Sequence, residues 1–195
     1  MKVPLYMVLI FLFSFAVQKH IFAQSSTVIE AGIIMGGDGD FLGEYSNGFR
    51  NGVLAGIKGE YGTYGFFLSP GIYFQNFTIS KKYTQVKPFV DDKRINMLKA
   101  KALLGYKTDV FTRKIKFKFG GGINANYIIN IQKNDAGIDF KTLSDTYWGY
   151  TVETGIDILS FSLSLSYDKS FKEIWHIEDN KGYFDFMILT LGFKF

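Results

Sequence analysis

The end of the chain holds residue types that support acyl hydrolysis in other proteins. His176 lies in a polar stretch with Glu173 and Glu178, and Ser170 comes shortly before it. A serine activated by a histidine, which a carboxylate orients, is a nucleophilic catalyst. Such a set needs a rigid site, however, and a histidine in a long polar connection is a weak signal. We therefore predict that the protein is not an enzyme, and a lipid-modifying enzyme is the less favoured alternative.

A second candidate for chemistry is the glycine-rich stretch GGDGDFLGEYSNG at residues 36–48. Asp38, Asp40 and Glu44 offer carboxylate oxygens at alternate positions, and Ca²⁺ prefers oxygen ligands. The stretch lacks the full twelve-residue pattern of a calcium loop, and a surface loop explains its composition equally well. We predict no metal ion and no cofactor.

The element that dominates the middle of the chain is the stretch IKFKFGGGINANYIINI at residues 115–131. Its odd-numbered positions, from Ile115 to Ile131, are apolar or aromatic except for Gly121, and its even positions are mostly Lys, Gly and Asn. Side chains of a β-strand point alternately to opposite faces. The pattern therefore predicts one long strand with an apolar face and a polar face.

The same period of two recurs along the chain and predicts eight strands. They fall at 27–36, 49–60, 64–78, 94–107, 115–131, 146–158, 160–168 and 183–195. Short connections follow the second, fourth and sixth strands, whereas the other connections are long and polar. This alternation is typical of an up-and-down antiparallel β-barrel with tight turns at one rim and long loops at the other.

The composition of the two faces indicates which of them meets lipid. The apolar face has essentially no charge, and Tyr106, Tyr127, Trp148, Tyr150 and Tyr167 near strand ends suit aromatic belts at membrane surfaces. The polar face is rich in small residues, which suit a crowded interior. We predict an all-β, eight-stranded antiparallel up-and-down transmembrane β-barrel with a packed polar core. A secreted soluble barrel is the alternative.

Polar side chains of the inner face form the predicted lumen. The set comprises Glu30, Lys58, Lys99, Lys101, Lys116, Lys118, Asn124, Asn126, Glu153, Asp157, Asp168, Asp185 and Lys194. An eight-stranded barrel is usually filled by side chains, and buried charges need opposite partners. We therefore predict a buried network of paired charges, and an ion-selective pore is the less favoured alternative.

The first residues are typical of a secretory signal peptide. Lys2 precedes the apolar run VPLYMVLIFLFSFAV, and a small residue, Ala23, offers a cleavage site. This predicts residues 1–23 as a cleaved signal and 24–195 as an exported barrel domain in the outer membrane, with a retained membrane anchor as the alternative. The chain has no Cys, and no block of basic residues points to a nucleic-acid partner.

Several strands resemble those of a known family. FFLSPGIYFQ at residues 66–75 resembles the L-x-L-x-P-G-L-x-Y strand of PorT-like outer-membrane β-barrels, which are common in Bacteroidota. DTYWGYTVETGIDI, LSLSYDKSFKEIW and LTLGFKF resemble that family's last three strands, although Ser170 and Phe171 stand where Gly and Leu are usual. The resemblance implies an outer-membrane barrel. The family is functionally mixed, and a founding member serves a protein secretion system.

The last strand resembles the C-terminal signal that outer-membrane barrels present to their assembly machinery. Its residues are Met187, Leu189, Leu191, Phe193 and Phe195. We thus expect a monomeric barrel whose partners are outer-membrane lipid, the barrel-assembly machinery and a protein bound at the long loops. The predicted role is a structural or interaction component, for example a subunit of a secretion or surface complex. A small passive channel is the main alternative.

Overall fold

Eight antiparallel strands close into a barrel in the part of the chain that the computed structural model describes. The described residues are 25–36, 52–62, 65–78, 94–110, 112–132, 140, 143–172 and 183–195. The strands are β1 (Ser25–Gly36), β2 (Gly52–Tyr61), β3 (Gly65–Thr78), β4 (Arg94–Val110), β5 (Thr112–Ile131), β6 (Thr146–Ile158), β7 (Phe161–Ser170) and β8 (Asp185–Lys194). The signal segment at 1–23 and the calcium candidates Asp38, Asp40 and Glu44 lie outside them.

Each strand pairs with its neighbours in sequence, and the last strand returns to the first. Ile29 of β1 pairs with Ile57 of β2 on one side and with Phe193 of β8 on the other. Closure leaves no free sheet edge, so backbone N–H and C=O groups find partners around the whole circumference. The predicted all-β up-and-down barrel of eight strands is confirmed. No α-helix in the described ranges is long and apolar enough to cross a membrane.

The two ends of the barrel differ in their connections. Tight turns join β2 to β3, β4 to β5 and β6 to β7, and Leu159 in the last of them adopts the left-handed conformation with φ of 55°. Phe195 lies at this same end, where its backbone N–H donates to the carbonyl of Thr27 at 3.0 Å. We call this the turn end. The opposite end, where the four long connections begin and finish, is the loop end.

A β-bulge near the loop end changes which face β5 presents. Asn96 of β4 pairs with Asn130, but the next residue, Met97, pairs with Ile128. The extra residue on β5 shifts the alternation by one, because a bulge sets two residues against one. Ile131 therefore packs against the interior, and Asn130 is exposed. The prediction that Ile131 continues the outer apolar face is wrong for this reason.

The interior near the loop end is apolar. Its core, which we call the apolar plug, consists of Ile34, Leu54, Tyr73, Phe77, Ile95, Met97, Ile128, Leu143, Tyr147, Phe184, Phe186 and Ile188. Phe77 is central, because its ring centroid lies 4.9 Å from that of Phe186 and 5.8 Å from that of Phe184. The prediction of a packed polar core is thus wrong for this half of the barrel, because the inward positions at these strand ends carry large apolar side chains.

The outward face carries exposed apolar side chains on all eight strands. Examples are Ile29, Ile57, Ile72, Leu104, Ile123, Val152, Leu165 and Leu191. Aromatic rings flank this band, with Phe117 towards the turn end of β5 and Tyr127 towards its loop end. At about 3.3 Å per residue and a tilt near 40°, these two rings are separated by a height of about 25 Å. This is the height of the apolar band on barrels that cross a bilayer.

Candidate functional site

The interior towards the turn end is filled by charged side chains in mutual contact. We call this set the ionic network; it comprises Glu30, Lys58, Glu60, Lys101, Lys107, Lys118, Glu153, Asp157 and Lys194. Its members come from β1, β2, β4, β5, β6 and β8. Each sits on an inward position of its strand, so the closed barrel brings them together although they are far apart in sequence.

Glu153 connects opposite sides of the network at mid-height. Its Oε2 lies 2.7 Å from Lys101 Nζ, and its Oε1 lies 3.2 Å from Lys58 Nζ. Lys58 also contacts Glu30 Oε1 at 2.6 Å, and the other oxygen of Glu30 accepts a hydrogen bond of 2.9 Å from the Tyr73 hydroxyl. This half of the network therefore ties β1, β2, β3, β4 and β6 together through side chains.

Glu60 is the centre of the network near the turn end. Its carboxylate lies 2.5 Å from Lys107 Nζ, 2.6 Å from Lys194 Nζ and 3.5 Å from Lys118 Nζ. Asp157 shares these three lysines, at 3.6 Å from Lys107 and 3.4 Å from Lys118, and it also pairs with Lys194. Removing an isolated ion from water costs several kcal/mol, and only close opposite charges offset that cost. The groups are therefore stable inside the barrel only as a set.

A smaller polar group separates the ionic network from the apolar plug. Lys99 pairs with Asp168, whose second oxygen accepts a 2.6 Å hydrogen bond from the Thr151 hydroxyl. Asn124 donates to Thr151 at 2.8 Å, and Asn126 donates to Asn124 at 2.6 Å. We call these five residues the polar ladder. The interior of the barrel thus has three layers: the ionic network at the turn end, the polar ladder in the middle and the apolar plug at the loop end.

The structure assigns a position to each predicted lumen residue. Inside the barrel, in the network or the ladder, lie Glu30, Lys58, Lys99, Lys101, Lys118, Asn124, Asn126, Glu153, Asp157, Asp168 and Lys194. Lys116 is partly exposed at the turn end, where it lines a cavity with Lys107, Asp157 and Lys194. Asp185 is buried at the start of β8, beside Tyr167 and on the face opposite to Phe186, which points inward. Placing Asp185 in the lumen was therefore wrong.

Two members of the network, Glu60 and Lys107, are not among the lumen residues predicted from the sequence. Glu60 lies two positions after Lys58 on the same face of β2, and Lys107 continues the inward positions of β4 that carry Lys99 and Lys101. Both could have been found by extending the period of two to the ends of these strands. They went unrecognised because a charge close to a turn is usually exposed, whereas here it is buried.

The candidate nucleophile Ser170 is held in a structural role. Its Oγ accepts a hydrogen bond of 3.1 Å from the backbone N–H of Phe184, and the side chain is buried in the barrel. Its proposed partners His176, Glu173 and Glu178 lie outside the described residues. Within the described strands and turns, no three His, Asp or Glu side chains are grouped as metal ligands.

The last strand presents its proposed assembly signal on the outer surface. Met187, Leu189, Leu191 and Phe193 alternate outward along β8, and Phe195 follows with 64% of its surface exposed. Phe193 packs edge-on against Phe161 of β7, with ring centroids 5.6 Å apart.

Closure of eight antiparallel strands, tight turns at one end, an apolar exterior and a filled interior define the class as a β-barrel of the outer-membrane type. Three solved structures are similar. The chain matches neisserial surface protein A (NspA) with a TM-score of 0.54 and 15% identity, covering 88% of this chain and 97% of that one. It also matches the outer-membrane protein OprG of Pseudomonas aeruginosa, with a TM-score of 0.48, 13% identity, and coverage of 88% and 96%.

The third similar structure is the N-terminal β-barrel domain of Pseudomonas aeruginosa OprF. Its TM-score is 0.45 at 17% identity, with 88% of this chain and 100% of that one covered. At these identities the likeness concerns the fold alone. No protein-family model and no curated protein matches the chain, so the resemblance to PorT-like barrels rests on the strand motifs by themselves.

Proposed function

We propose that the protein is a non-enzymatic integral barrel of the outer membrane, a structural or interaction component whose interior does not conduct. The membrane location is supported by the exterior. Soluble monomers rarely expose an apolar patch above a few hundred Å², whereas here apolar side chains surround the barrel. Lipid accepts such a surface, and closure satisfies the backbone without water. Export through the signal at residues 1–23 belongs to this proposal.

The filled interior is the observation that carries the non-conducting role. An ion that enters from the loop end meets the large apolar side chains of the plug, which cannot replace its hydration shell. An ion that enters from the turn end meets lysines and carboxylates that are already paired with one another, such as Lys107 and Glu60 at 2.5 Å. A small passive channel needs a continuous aqueous path, and neither half of this interior offers one.

A non-enzymatic role is supported by the position of Ser170. Its hydroxyl is buried and accepts a hydrogen bond from the backbone N–H of Phe184, so an acyl chain in the membrane has no direct route to it. A catalyst at this position would need the serine turned out of the barrel, which would leave the N–H of Phe184 without its partner.

An interaction role is supported by the loop end. Phe140 and Phe171 each expose about half of their surface there, at 50% and 53%, and exposed aromatic rings are common in binding surfaces. The resemblance to PorT-like barrels favours a partner within a secretion or surface assembly.

Conductance in planar bilayers tests the sealed interior. We expect no discrete conductance steps from the purified protein, whose folding is checked by different gel migration with and without boiling. The variant Phe77→Ala removes the central ring of the plug and serves as the comparison. Stable steps of uniform size from the unmodified protein would overturn the sealed barrel and favour the passive channel.

Extraction in mild detergent tests the interaction role. A tag inserted near Lys81 leaves the last strand and Phe195 free for assembly. A stoichiometric co-purifying protein would support the proposed interaction role. A monomer without partners would contradict it, and absence of the protein from the outer-membrane fraction would contradict the location itself.

A further inference from the structure

A cavity of about 420 Å³ opens at the turn end and takes no part in the role proposed above. Its lining is Ser25, Ser26, Gly62, Lys107, Lys114, Lys116, Asp157, Leu159, Lys194 and Phe195. The volume lies within the range of small-molecule sites, about 300 to 1,000 Å³. We call it the turn-end cavity.

Positive charge dominates this cavity. Four of its lining residues are lysines, and Asp157 is the one acidic side chain among them. Charges immediately behind the lining do not reverse the balance, because Lys118 stands there beside Glu60, and Asp109 is the register neighbour of Lys116. With Glu153 at 3.8 Å from Lys118, five lysines thus face four acidic side chains.

The lysines of the cavity differ in burial. Lys107 and Lys194 are fixed by Glu60 at 2.5 and 2.6 Å, so their ammonium groups are already positioned at the inner wall. Lys114 is exposed and Lys116 is partly exposed at the outer wall. An anion that enters the cavity therefore meets lysines at both its inner and its outer wall, and lysine binds phosphate as a point charge.

The rim beside the lysines is apolar and faces outward. Leu159 and Phe195 line the cavity and expose 68% and 64% of their surfaces. Phe161 and Phe193 continue this apolar surface along β7 and β8 towards mid-height. A ligand with a phosphate group and hydrocarbon chains would match both parts, since its chains would follow these outer strands.

We propose that the turn-end cavity binds the phosphate of an anionic glycerophospholipid from the adjacent leaflet. The lipid source rests on the membrane location proposed above. A free glycerol phosphate carries the same headgroup chemistry, so it is the other source that the experiment distinguishes.

Native mass spectrometry of the detergent-solubilised barrel tests this site. The barrel is mixed with phosphatidylglycerol or with zwitterionic phosphatidylcholine, and the retained lipid is counted. The test variant is Lys114→Gln/Lys116→Gln. Its matched control, Lys169→Gln/Lys172→Gln, makes the same charge change near the loop end. We expect the test variant, but not the control, to bind phosphatidylglycerol about fivefold more weakly, as two largely exposed ion pairs would allow.

Competition with glycerol phosphate separates the two sources. Displacement of phosphatidylglycerol only by other lipids supports a lipid site, whereas displacement by glycerol phosphate supports a phosphate site that needs no chains. Equal retention of the two lipids by the unmodified barrel, or equal retention of phosphatidylglycerol by test and control variants, would overturn the proposal. Lys114→Gln alone repeats the test if the double variant loses its boiling-dependent gel shift.

Failure of this site would be distinguishable from failure of the membrane role. A barrel that inserts into vesicles but retains phosphatidylglycerol and phosphatidylcholine equally contradicts the proposed lipid site and leaves the membrane role intact. Failure to insert into vesicles overturns the membrane role, and the lipid source with it. Binding of glycerol phosphate in detergent then still decides whether the cavity takes phosphate.

Discussion

Glu153→Gln should destabilise the barrel strongly although it changes only one atom. Three lysines lie near this carboxylate, at 2.7 Å for Lys101, 3.2 Å for Lys58 and 3.8 Å for Lys118. Lys58 keeps Glu30 at 2.6 Å after the change. Lys101 loses its paired acid, because Glu153 is the one carboxylate within 4 Å of it in the described strands.

The expected cost follows from the buried lysine left behind. Breaking a buried ion pair by removing one partner costs about 3 to 5 kcal/mol. The lower figure applies here, because two of the three lysines retain other acids, and about 3 kcal/mol is roughly a hundredfold change in the folding equilibrium. Urea unfolding in lipid vesicles, followed by tryptophan fluorescence, would measure the loss.

Two control variants separate the ion pair from general damage. Glu153→Gln/Lys101→Met removes both partners and should recover most of the stability, since the uncompensated charge is gone. Asp145→Asn changes an exposed acid and should stay within about 0.5 kcal/mol of the unmodified protein. A Glu153→Gln variant as stable as Asp145→Asn, or a double variant no better than the single one, would refute the reasoning.

Two further predictions concern packing inside the barrel and contact with lipid outside it. Gly105→Ala should cost about 1 to 3 kcal/mol, because a Cβ there would lie 2.5 Å from the Phe67 ring, whereas Gly121→Ala, with its nearest atom at 3.6 Å, should be close to neutral. Vesicle unfolding would compare the two, and equal costs would contradict the described packing. Ile123→Lys at mid-height should cost about 2 to 4 kcal/mol and Ile158→Lys at the turn end about 0 to 1. Folding yield in vesicles would test this pair, and a reversed order would speak against lipid around the barrel.

The strands and their order could be predicted because they depend on local patterns. Each strand alternates apolar and polar side chains on its own, and the lengths of the connections depend only on adjacent elements. The bulge on β5 could not be predicted in this way. It arises from the pairing of Met97 with Ile128, whereas the odd-numbered positions of β5 alone continue the apolar series to Ile131.

The pairing of charges inside the barrel also could not be predicted from the sequence alone. The inward positions of Lys58 and Glu153 follow from alternation, but these residues are 95 positions apart. Whether their side chains meet depends on the stagger of all eight strands at closure. The apolar plug was missed for a related reason, since Phe77 and Phe186 lie at strand ends that are distant in sequence and become neighbours only across the lumen.

The graded polarity of the interior implies an order of events when the barrel enters a bilayer from the periplasmic side. For the proposed outer-membrane barrel the loop end would enter first. Before β8 seals against β1, inner side chains of that half would contact hydrocarbon, and these are the apolar residues around Phe77. The lysines and carboxylates of the turn end would stay near water during this step, where an unpaired charge remains hydrated. Lys194 of β8 contacts Asp157 across β7, but it meets Glu60 of β2 only when β8 closes on β1, so the last strand brings the lysine that joins the two ends of the sheet.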